Sequence, residues 1–191
     1  MLKCTHLQKR KDNMKTSELL KMIENDGIKG EELAELLVKE LTKKNLKIST
    51  AESCTGGLVS GAITDISGAS SVFDLSVCSY ANHIKSKILS VKEQTLSTYG
   101  AVSEKTAMEM ARGIRLLSNS DIGVSTTGIA GPLGGSQYKP VGLVYVGIST
   151  KDMLYAKKLL LNEERNCDRQ RIRSLAVLGA LYFAYRETDN L

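Results

Sequence analysis

The sequence predicts an α/β fold, a three-layer α/β/α sandwich built on a mostly parallel, mixed sheet. In the first two thirds of the chain, short β-prone runs alternate with amphipathic helical stretches, the arrangement that produces parallel sheets. Near the end, two β-prone runs are separated only by Lys151 and Asp152, which predicts an antiparallel hairpin. The 191 residues, 42% of them hydrophobic and 25% charged, are enough for one globular domain with a sizeable core.

The predicted elements follow one another along the whole chain. Helices are expected over residues 17–28, 31–44, 57–66, 82–89, 104–117 and 168–186. Strands are expected over residues 47–50, 72–80, 121–125, 142–150 and 153–161.

Each helix prediction depends on periodicity and on end signals. Gly30 ends the first helix. The second has a leucine stripe, acidic residues at its start and lysines at its end, as the helix dipole favours. Ser103 is expected to cap the helix over 104–117. Four of that helix's side chains are predicted to face inward: Ala107, Ala111, Ile114 and Leu117.

Most of the net charge of +5 belongs to the first residues of the chain. Residues 1–15 hold five basic side chains against one acidic side chain, which leaves the remainder close to neutral. We therefore expect residues 1–16 to be a basic, disordered tail, or an extension upstream of a start at Met14. Residues 17–191 are expected to form the single domain. A nucleic-acid partner is not favoured, because the folded part is close to neutral.

Composition also bears on the cellular compartment and on the possible cofactors. No apolar run approaches the roughly 20 residues that a membrane-spanning helix needs, and no secretory signal precedes the domain. The four cysteines are scattered, without a C-x-x-C pair, and there are only two histidines. We expect no metal, no cofactor, no membrane partner and a reducing cytoplasm.

Three loops follow predicted parallel strands and should therefore meet at one edge of the sheet, where α/β proteins bind ligands. The first, after residue 50, contains Ser53. The second, after residue 80, leads to Lys85. The third, over residues 126–136, is rich in glycine and hydroxyl groups.

The first loop has the form of a nucleophile turn. Ser53 stands between a strand and a helix, and N–H groups around Thr55 to Gly57 would stabilise an oxyanion. Since His6 lies in the tail and His83 on a surface turn, lysine is the remaining base, and Ser–Lys pairs are a known variant. Lys85 is the best-placed candidate, while Lys87 and Lys92 are expected in solvent. An ordinary capped βα turn explains the same residues.

Other residues allow two interpretations each. Cys54 is a rival nucleophile at a helix start, or a small core residue. The loop over residues 128–136 is a backbone cradle for an anion, or a plain surface loop; it matches no ATP or dinucleotide motif. Arg169 and Arg173, one helical turn apart, form a phosphate clamp, or a solvated helix start.

Six motifs in order resemble the CinA C-terminal domain family of nicotinamide-nucleotide amidohydrolases over residues 31–186. They are Thr-Ala-Glu-Ser-Cys-Thr-Gly-Gly (50–57), Tyr80 with Asn82 and Lys85, Gly-Ala-Val-Ser (100–103), Gly-Ile-Ala-Gly-Pro (128–132) with Gly134 and Gly135, Lys-Pro-Val-Gly (139–142), and Asp168-Arg169 with Arg173. The resemblance implies hydrolysis of the carboxamide of nicotinamide mononucleotide to nicotinate mononucleotide and ammonia, without a metal.

The resemblance also implies roles for particular residues. Ser53 would be the nucleophile, and Lys85 would act on it with Tyr80 alongside. The expected substrate-binding residues are Cys54, Thr55, Gly56, Thr127, Gly128, Ala130, Gly131, Arg169 and Arg173. The implied partner is a small-molecule nucleotide, and the implied assembly is a homodimer or higher homo-oligomer.

The sequence departs from the family pattern at three places. Leu133 replaces a polar residue of the glycine loop, Cys167 replaces the glycine before Asp168, and Ala81 and His83 alter the turn before Lys85. None of these is a proposed catalytic group, but they leave a second hypothesis open: a nucleotide-binding paralogue that is inactive or retuned. A nucleic-acid accessory role depends on the basic tail alone.

Overall fold

The computed structural model describes residues 13–163 and 167–191. The strands are β1 (Met14–Lys15), β2 (Ile48–Glu52), β3 (Phe73–Cys78), β4 (Ile122–Gly128), β5 (Leu143–Ser149) and β6 (Leu154–Leu160). The helices are α1 (Thr16–Asn25), α2 (Leu33–Lys44), α3 (Leu58–Thr64), α4 (Asn82–Leu89), α5 (Glu93–Tyr99), α6 (Glu104–Ser118) and α7 (Arg169–Thr188).

The six strands form one mixed sheet in the order β1-β6-β5-β4-β2-β3. Strand β2 pairs in parallel with β3 and with β4, and β1 pairs in parallel with β6. Strand β5 is antiparallel to both β4 and β6, so the predicted hairpin at Lys151 and Asp152 is confirmed.

Helices cover both faces of the sheet, which confirms the three-layer α/β/α prediction. On one face α6 packs across β2 to β6 and carries α4 and α5 beside it. On the other face α7 packs against β4 and β5 and is flanked by α1, α2 and α3. The larger hydrophobic core lies on the α7 side, and a smaller one lies under α6 around Met110 and Ile114.

The fold begins earlier than the predicted boundary at residue 17. Met14 and Lys15 pair with Leu159 and Leu160 at the edge of the sheet, and Thr16 opens α1. Placing residues 14–16 in a tail was therefore wrong, because a two-residue strand gives no periodic signal and its partner is distant in sequence. Residues 1–12, which include His6 and most of the basic side chains of the predicted tail, lie outside the described residues.

Two further differences concern helices. Helix α1 ends at Asn25 and not at residue 28, because Gly27 adopts a positive φ of 72°. Leu117 is 53% exposed and not inward, because it lies roughly 80° around the helix from Ala107. The predicted Ser103 cap is confirmed, since its hydroxyl accepts the N–H of Thr106.

The parallel pairing fixes where a site can form. Strands β2, β3 and β4 point the same way, so the loops after all three open at one edge of the sheet, as predicted. Among the described residues, no helix combines the length and apolar character needed to cross a bilayer.

Candidate active site

Ser53 lies at the end of β2, in a turn that its backbone geometry makes sharp. Its N–H donates to the carbonyl of Thr126 in the neighbouring strand, at 2.9 Å. Gly56 and Gly57 then take positive φ values of 61° and 96°, a conformation that favours glycine. The turn leaves the Ser53 side chain half-buried at the carboxyl edge of the sheet.

The carboxylate of Glu52 is buried beneath this turn and caps the start of α3. It accepts the backbone N–H groups of Gly57 at 2.9 Å, Val59 at 3.1 Å and Ser60 at 2.8 Å. The Thr55 hydroxyl donates to it as well, at 2.6 Å. A negative charge at a helix N-terminus is favourable, and here it comes from the last residue of β2, which the turn folds back under α3.

The Glu52 cap changes the predicted oxyanion site. The N–H of Gly57 is already bonded to Glu52 and is not free for an oxyanion. Within residues 13–163 and 167–191, the N–H groups of Thr55 and Gly56 have no hydrogen-bond acceptor. The donors that remain for an oxyanion are therefore these two amides.

Lys85 reaches Ser53 from helix α4 and is only 1% exposed. Its Nζ lies 3.1 Å from Ser53 Oγ, 2.6 Å from the carbonyl oxygen of Ser79 and 3.2 Å from that of Tyr80. Burial lowers the pKa of Lys85 below its ordinary value. In the described part of the chain no carboxylate forms an ion pair with it.

The three contacts of Lys85 fit both protonation states of its amine, since an ammonium can donate to all three oxygens. A neutral amine has two N–H donors and one lone pair. The two carbonyls can accept both N–H groups, which leaves the lone pair for the Ser53 hydroxyl. The predicted Ser–Lys pair is thus brought together by β2 and α4, and Lys87, Lys92 and His83 are exposed as predicted.

Cys54 does not have the properties of a nucleophile. Its side chain is buried, and burial raises the pKa of the thiol to about 12. A thiolate is the reactive form of cysteine, so the Cys54 side chain serves as a small core residue. Its backbone still belongs to the Ser53 turn.

Tyr80 and Arg169 form a second group beside the Ser–Lys pair. The Tyr80 side chain is 65% exposed, and its hydroxyl accepts a hydrogen bond from Arg169 Nη2 at 3.2 Å. Arg169 Nη1 donates to the carbonyl of Gly131 in the glycine loop at 2.8 Å. The Tyr80 hydroxyl is bonded to neither Ser53 nor Lys85; its contact with Lys85 is through the main chain.

Arg173 has a different role from the predicted phosphate clamp. Its Nε donates to the carbonyl of Cys54 at 3.2 Å, and its Nη2 donates to that of Thr55 at 2.6 Å. The guanidinium therefore ties α7 to the Ser53 turn. The spacing of Arg169 and Arg173 could not distinguish a ligand contact from a bond to a carbonyl far away in sequence.

The predicted residues of the third loop lie mostly in the core. Thr127 is buried and its hydroxyl donates to the carbonyl of Ala101 at 2.7 Å. Ala130 is also buried, and a side chain on Gly128 would come within 2.7 Å of a backbone oxygen. A substrate contact by these residues stays a prediction.

Two of the departures from the family pattern, Leu133 and Cys167, make no hydrogen bond with Ser53 or Lys85. Leu133 is 86% exposed on the glycine loop, and the Cys167 thiol donates to the carbonyl of Leu161 at 2.8 Å. In the described ranges, no three His, Cys, Asp or Glu side chains are grouped so that they could hold a metal ion.

Comparison with known proteins identifies the family. The family model of the CinA C-terminal domain matches residues 30–188. A putative competence-damage inducible protein of Thermoanaerobacter pseudethanolicus is 51% identical over 177 residues, which are 86% of this chain and 42% of the relative. A CinA-like protein of Kosmotoga olearia is 50% identical over 84% of this chain and 38% of its own length. The chain thus spans about two fifths of these relatives.

Solved structures have the same fold. The competence/damage inducible protein CihA from Agrobacterium tumefaciens has a TM-score of 0.76 and 41% identity, over 81% of this chain and 92% of its own. A CinA superfamily protein from Klebsiella pneumoniae has a TM-score of 0.79 and 26% identity, over 85% and 99%. The resemblance of the six motifs is confirmed: this chain belongs to the CinA C-terminal domain family.

Proposed function

We propose that the chain is an amidohydrolase that cleaves the carboxamide of nicotinamide mononucleotide by a Ser–Lys mechanism. The observation that carries the proposal is the 3.1 Å contact between Ser53 Oγ and the buried Nζ of Lys85. Burial lowers the pKa of Lys85, and no carboxylate among the described residues is paired with it, so its amine is more easily neutral than an ordinary lysine and can then accept a proton. The motifs shared with nicotinamide-nucleotide amidohydrolases support the choice of substrate.

In the first half of the reaction, Ser53 Oγ attacks the carboxamide carbon while Lys85 Nζ takes the hydroxyl proton. The carbonyl oxygen becomes an oxyanion, which the free N–H groups of Thr55 and Gly56 are available to bind. Lys85, now an ammonium, returns the proton to the leaving nitrogen. Ammonia departs, and an ester joins Ser53 to the nicotinoyl group.

In the second half, water attacks the ester carbon and Lys85 takes one of its protons. The same amides bind the second oxyanion. The bond to Ser53 Oγ breaks and the proton returns to that oxygen. The new carboxylic acid gives the remaining proton of the water to solvent, nicotinate mononucleotide leaves, and the enzyme is back in its starting protonation state. The scheme uses only groups of this chain, the substrate and one water molecule.

The phosphate end of the substrate would lie at Arg169. This guanidinium is exposed beside Tyr80 and the carbonyl of Gly131. The amides of Gly131, Leu133 and Gly134 have no acceptor within the described ranges and open at the same edge. Guanidinium and free amide groups are typical phosphate ligands.

The direct test is an assay of ammonia and nicotinate mononucleotide released from nicotinamide mononucleotide by purified protein. Equal amounts of both products support the amidohydrolase. Saturable binding of the nucleotide without either product would favour the nucleotide-binding paralogue. Repeating the assay with a chelator tests independence from metal ions.

Replacing Arg169 by Ala is expected to raise KM with little change in kcat. A phosphate contact stabilises the ground state and the transition state equally, so its loss raises KM and leaves kcat nearly unchanged. We expect KM for nicotinamide mononucleotide to rise roughly 10- to 100-fold. Steady-state kinetics with this nucleotide and with nicotinamide riboside, which lacks the phosphate, measure the effect.

The matched control is Arg112→Ala, which removes an exposed arginine from α6 on the opposite face of the sheet. Its KM should equal that of the wild type. If Arg169→Ala still prefers the nucleotide over the riboside as strongly as the wild type does, Arg169 is not the phosphate ligand.

A further inference from the structure

A second cavity lies at the other end of α7, between α1, β6 and the last turns of α7. Its volume is about 430 Å³, within the range of roughly 300–1,000 Å³ typical of small-ligand pockets. Glu187 in its wall is roughly 21 Å along the helix axis from Arg173, so the cavity is separate from the Ser53 site. Its main lining side chains are Asp26, Tyr155, Lys157, Tyr182, Phe183 and Glu187.

Glu187 has an unsatisfied oxygen in this cavity. The residue is 3% exposed, and its Oε2 accepts the hydroxyl of Tyr155 at 2.9 Å. Its Oε1 is buried and has no hydrogen-bond partner among the residues that the structure describes. A buried carboxylate oxygen without a donor is unfavourable. The position therefore favours a ligand that brings an N–H donor, and a cationic donor most of all.

The neighbouring polar groups do not supply that donor. Burial and the hydrogen bond to Glu187 both raise the pKa of Tyr155, so its phenol stays protonated, but its one proton is already given to Oε2. Asp26 is occupied by Tyr182 and Arg186, each at 2.7 Å. Arg186 is thus already paired.

Lys157 provides a separate positive charge at the cavity mouth. It is exposed and has no carboxylate partner within the described part of the chain. Its Nζ lies 5.5 Å from the centre of the Tyr155 ring and 5.9 Å from that of Phe183. The cavity therefore combines one buried carboxyl oxygen without a donor, aromatic walls and one lysine without a carboxylate partner in the described part of the chain.

We propose that this cavity binds a free amino acid with an apolar or aromatic side chain. The ammonium group would donate to Glu187 Oε1, the side chain would pack against the Tyr155 and Phe183 rings, and the carboxylate would pair with Lys157. Two separated charges of opposite sign match a zwitterion better than a simple amine or a simple acid. The proposal is independent of the reaction at Ser53.

Isothermal titration calorimetry on the whole chain tests the site with L-phenylalanine and L-leucine as probes. 2-Phenylethylamine lacks the carboxylate, and 3-phenylpropanoate lacks the ammonium. We expect one saturable site per chain for at least one amino acid, and binding at least tenfold weaker for each half-ligand, which loses one ion pair.

Two variants locate the binding. Glu187→Gln keeps an acceptor for Tyr155 and should abolish binding of the amino acid. Lys157→Met should remove the preference for phenylalanine over phenylethylamine. The control is Lys158→Met, an exposed lysine on the opposite face of β6, which should bind as the wild type does. Because Lys157 is on the surface, its variant tests the site even if Glu187→Gln fails to fold.

Two results would overturn the proposal. One is no saturable binding of either amino acid up to about 10 mM, a concentration at which even weak specific sites fill. The other is binding that both Glu187→Gln and Lys157→Met leave unchanged, since the ligand would then lie elsewhere.

Discussion

Replacing Lys85 by Met is expected to remove nearly all of the proposed amidase activity. The substitution deletes the only amine that contacts Ser53 Oγ in the described ranges while keeping a side chain of similar length in a buried position. General-base catalysis typically contributes roughly 10²- to 10⁴-fold, so we expect kcat/KM to fall by about that factor. Initial rates of ammonia release measure the loss.

The pH profile gives the sharper form of this test. An ordinary lysine has a pKa of about 10.4, and burial lowers that of Lys85. The amine accepts a proton only when neutral, so kcat/KM should rise with pH through the lowered pKa and level off above it. The midpoint should lie clearly below that of an ordinary lysine, and Lys85→Met should lose this rising limb.

Two variants test whether Lys85 acts as a general base or only as a positive charge. Lys85→Arg should be as inactive as Lys85→Met, because a guanidinium stays protonated and cannot take the Ser53 proton. Lys87→Met, on the exposed face of the same helix, should keep both the activity and the pH limb. An active Lys85→Arg enzyme would mean that Lys85 acts as an electrostatic or binding group and that the base is another residue.

Replacing Ser53 by Ala is expected to abolish turnover while the protein still binds the nucleotide. Only one oxygen is deleted, and the Glu52 cap, the Arg173 bonds and the backbone turn around it remain. Without the nucleophile no acyl-enzyme forms. We expect kcat to fall by at least roughly 10⁴-fold, with a dissociation constant for nicotinamide mononucleotide within about threefold of the wild type.

The neighbouring Cys54→Ala variant is the control for this result. Its thiol has a pKa of about 12 because it is buried, so its removal should leave most of the activity. Quench-flow mass spectrometry should detect an acyl adduct that retains the ribose phosphate on wild type and on Cys54→Ala, and none on Ser53→Ala. Activity that survives in Ser53→Ala and disappears in Cys54→Ala would show that the thiol is the nucleophile.

The sequence predicted the Ser53–Lys85 pair because parallel strands bring their following loops together. Ser53 follows β2, Lys85 lies in the first turn of α4, which follows β3, and these strands are neighbours. Topology therefore brings the two loops to one edge of the sheet, and the resemblance to the family implied that these two side chains pair there. The proposed role of Lys85 as a base also needs burial of its amine, and α4, which carries Lys85, packs beside α6 so that the residue is 1% exposed.

Contacts between distant parts of the chain could not be predicted in the same way. Arg173 bonds to carbonyls of the Ser53 turn more than a hundred residues earlier in the chain, and no spacing rule encodes such a pair. Strand β1 is two residues long and exists only through its pairing with β6. Helix α5 was missed because residues 90–102 carry no strong apolar period.

The Glu52 cap was missed for another reason. Its four hydrogen bonds are local in sequence. The motif drew attention to the hydroxyl and thiol groups, and the acidic residue beside them was not considered as a helix cap. Glu52 belongs to β2 and precedes α3 by six residues, outside the positions where helix-capping residues are expected.

The residues that hold Arg169 are different from those that hold Ser53 and Lys85. Ser53 and Lys85 are held by β2, Glu52 and α4, whereas Arg169 is held by Gly131 and the exposed Tyr80 side chain. Leu133 is exposed on the glycine loop and Cys167 is hydrogen-bonded to Leu161, and neither of these departures from the family pattern is hydrogen-bonded to Ser53 or Lys85. If the proposed function is correct, changes at these two positions can retune substrate preference while the Ser–Lys chemistry stays the same.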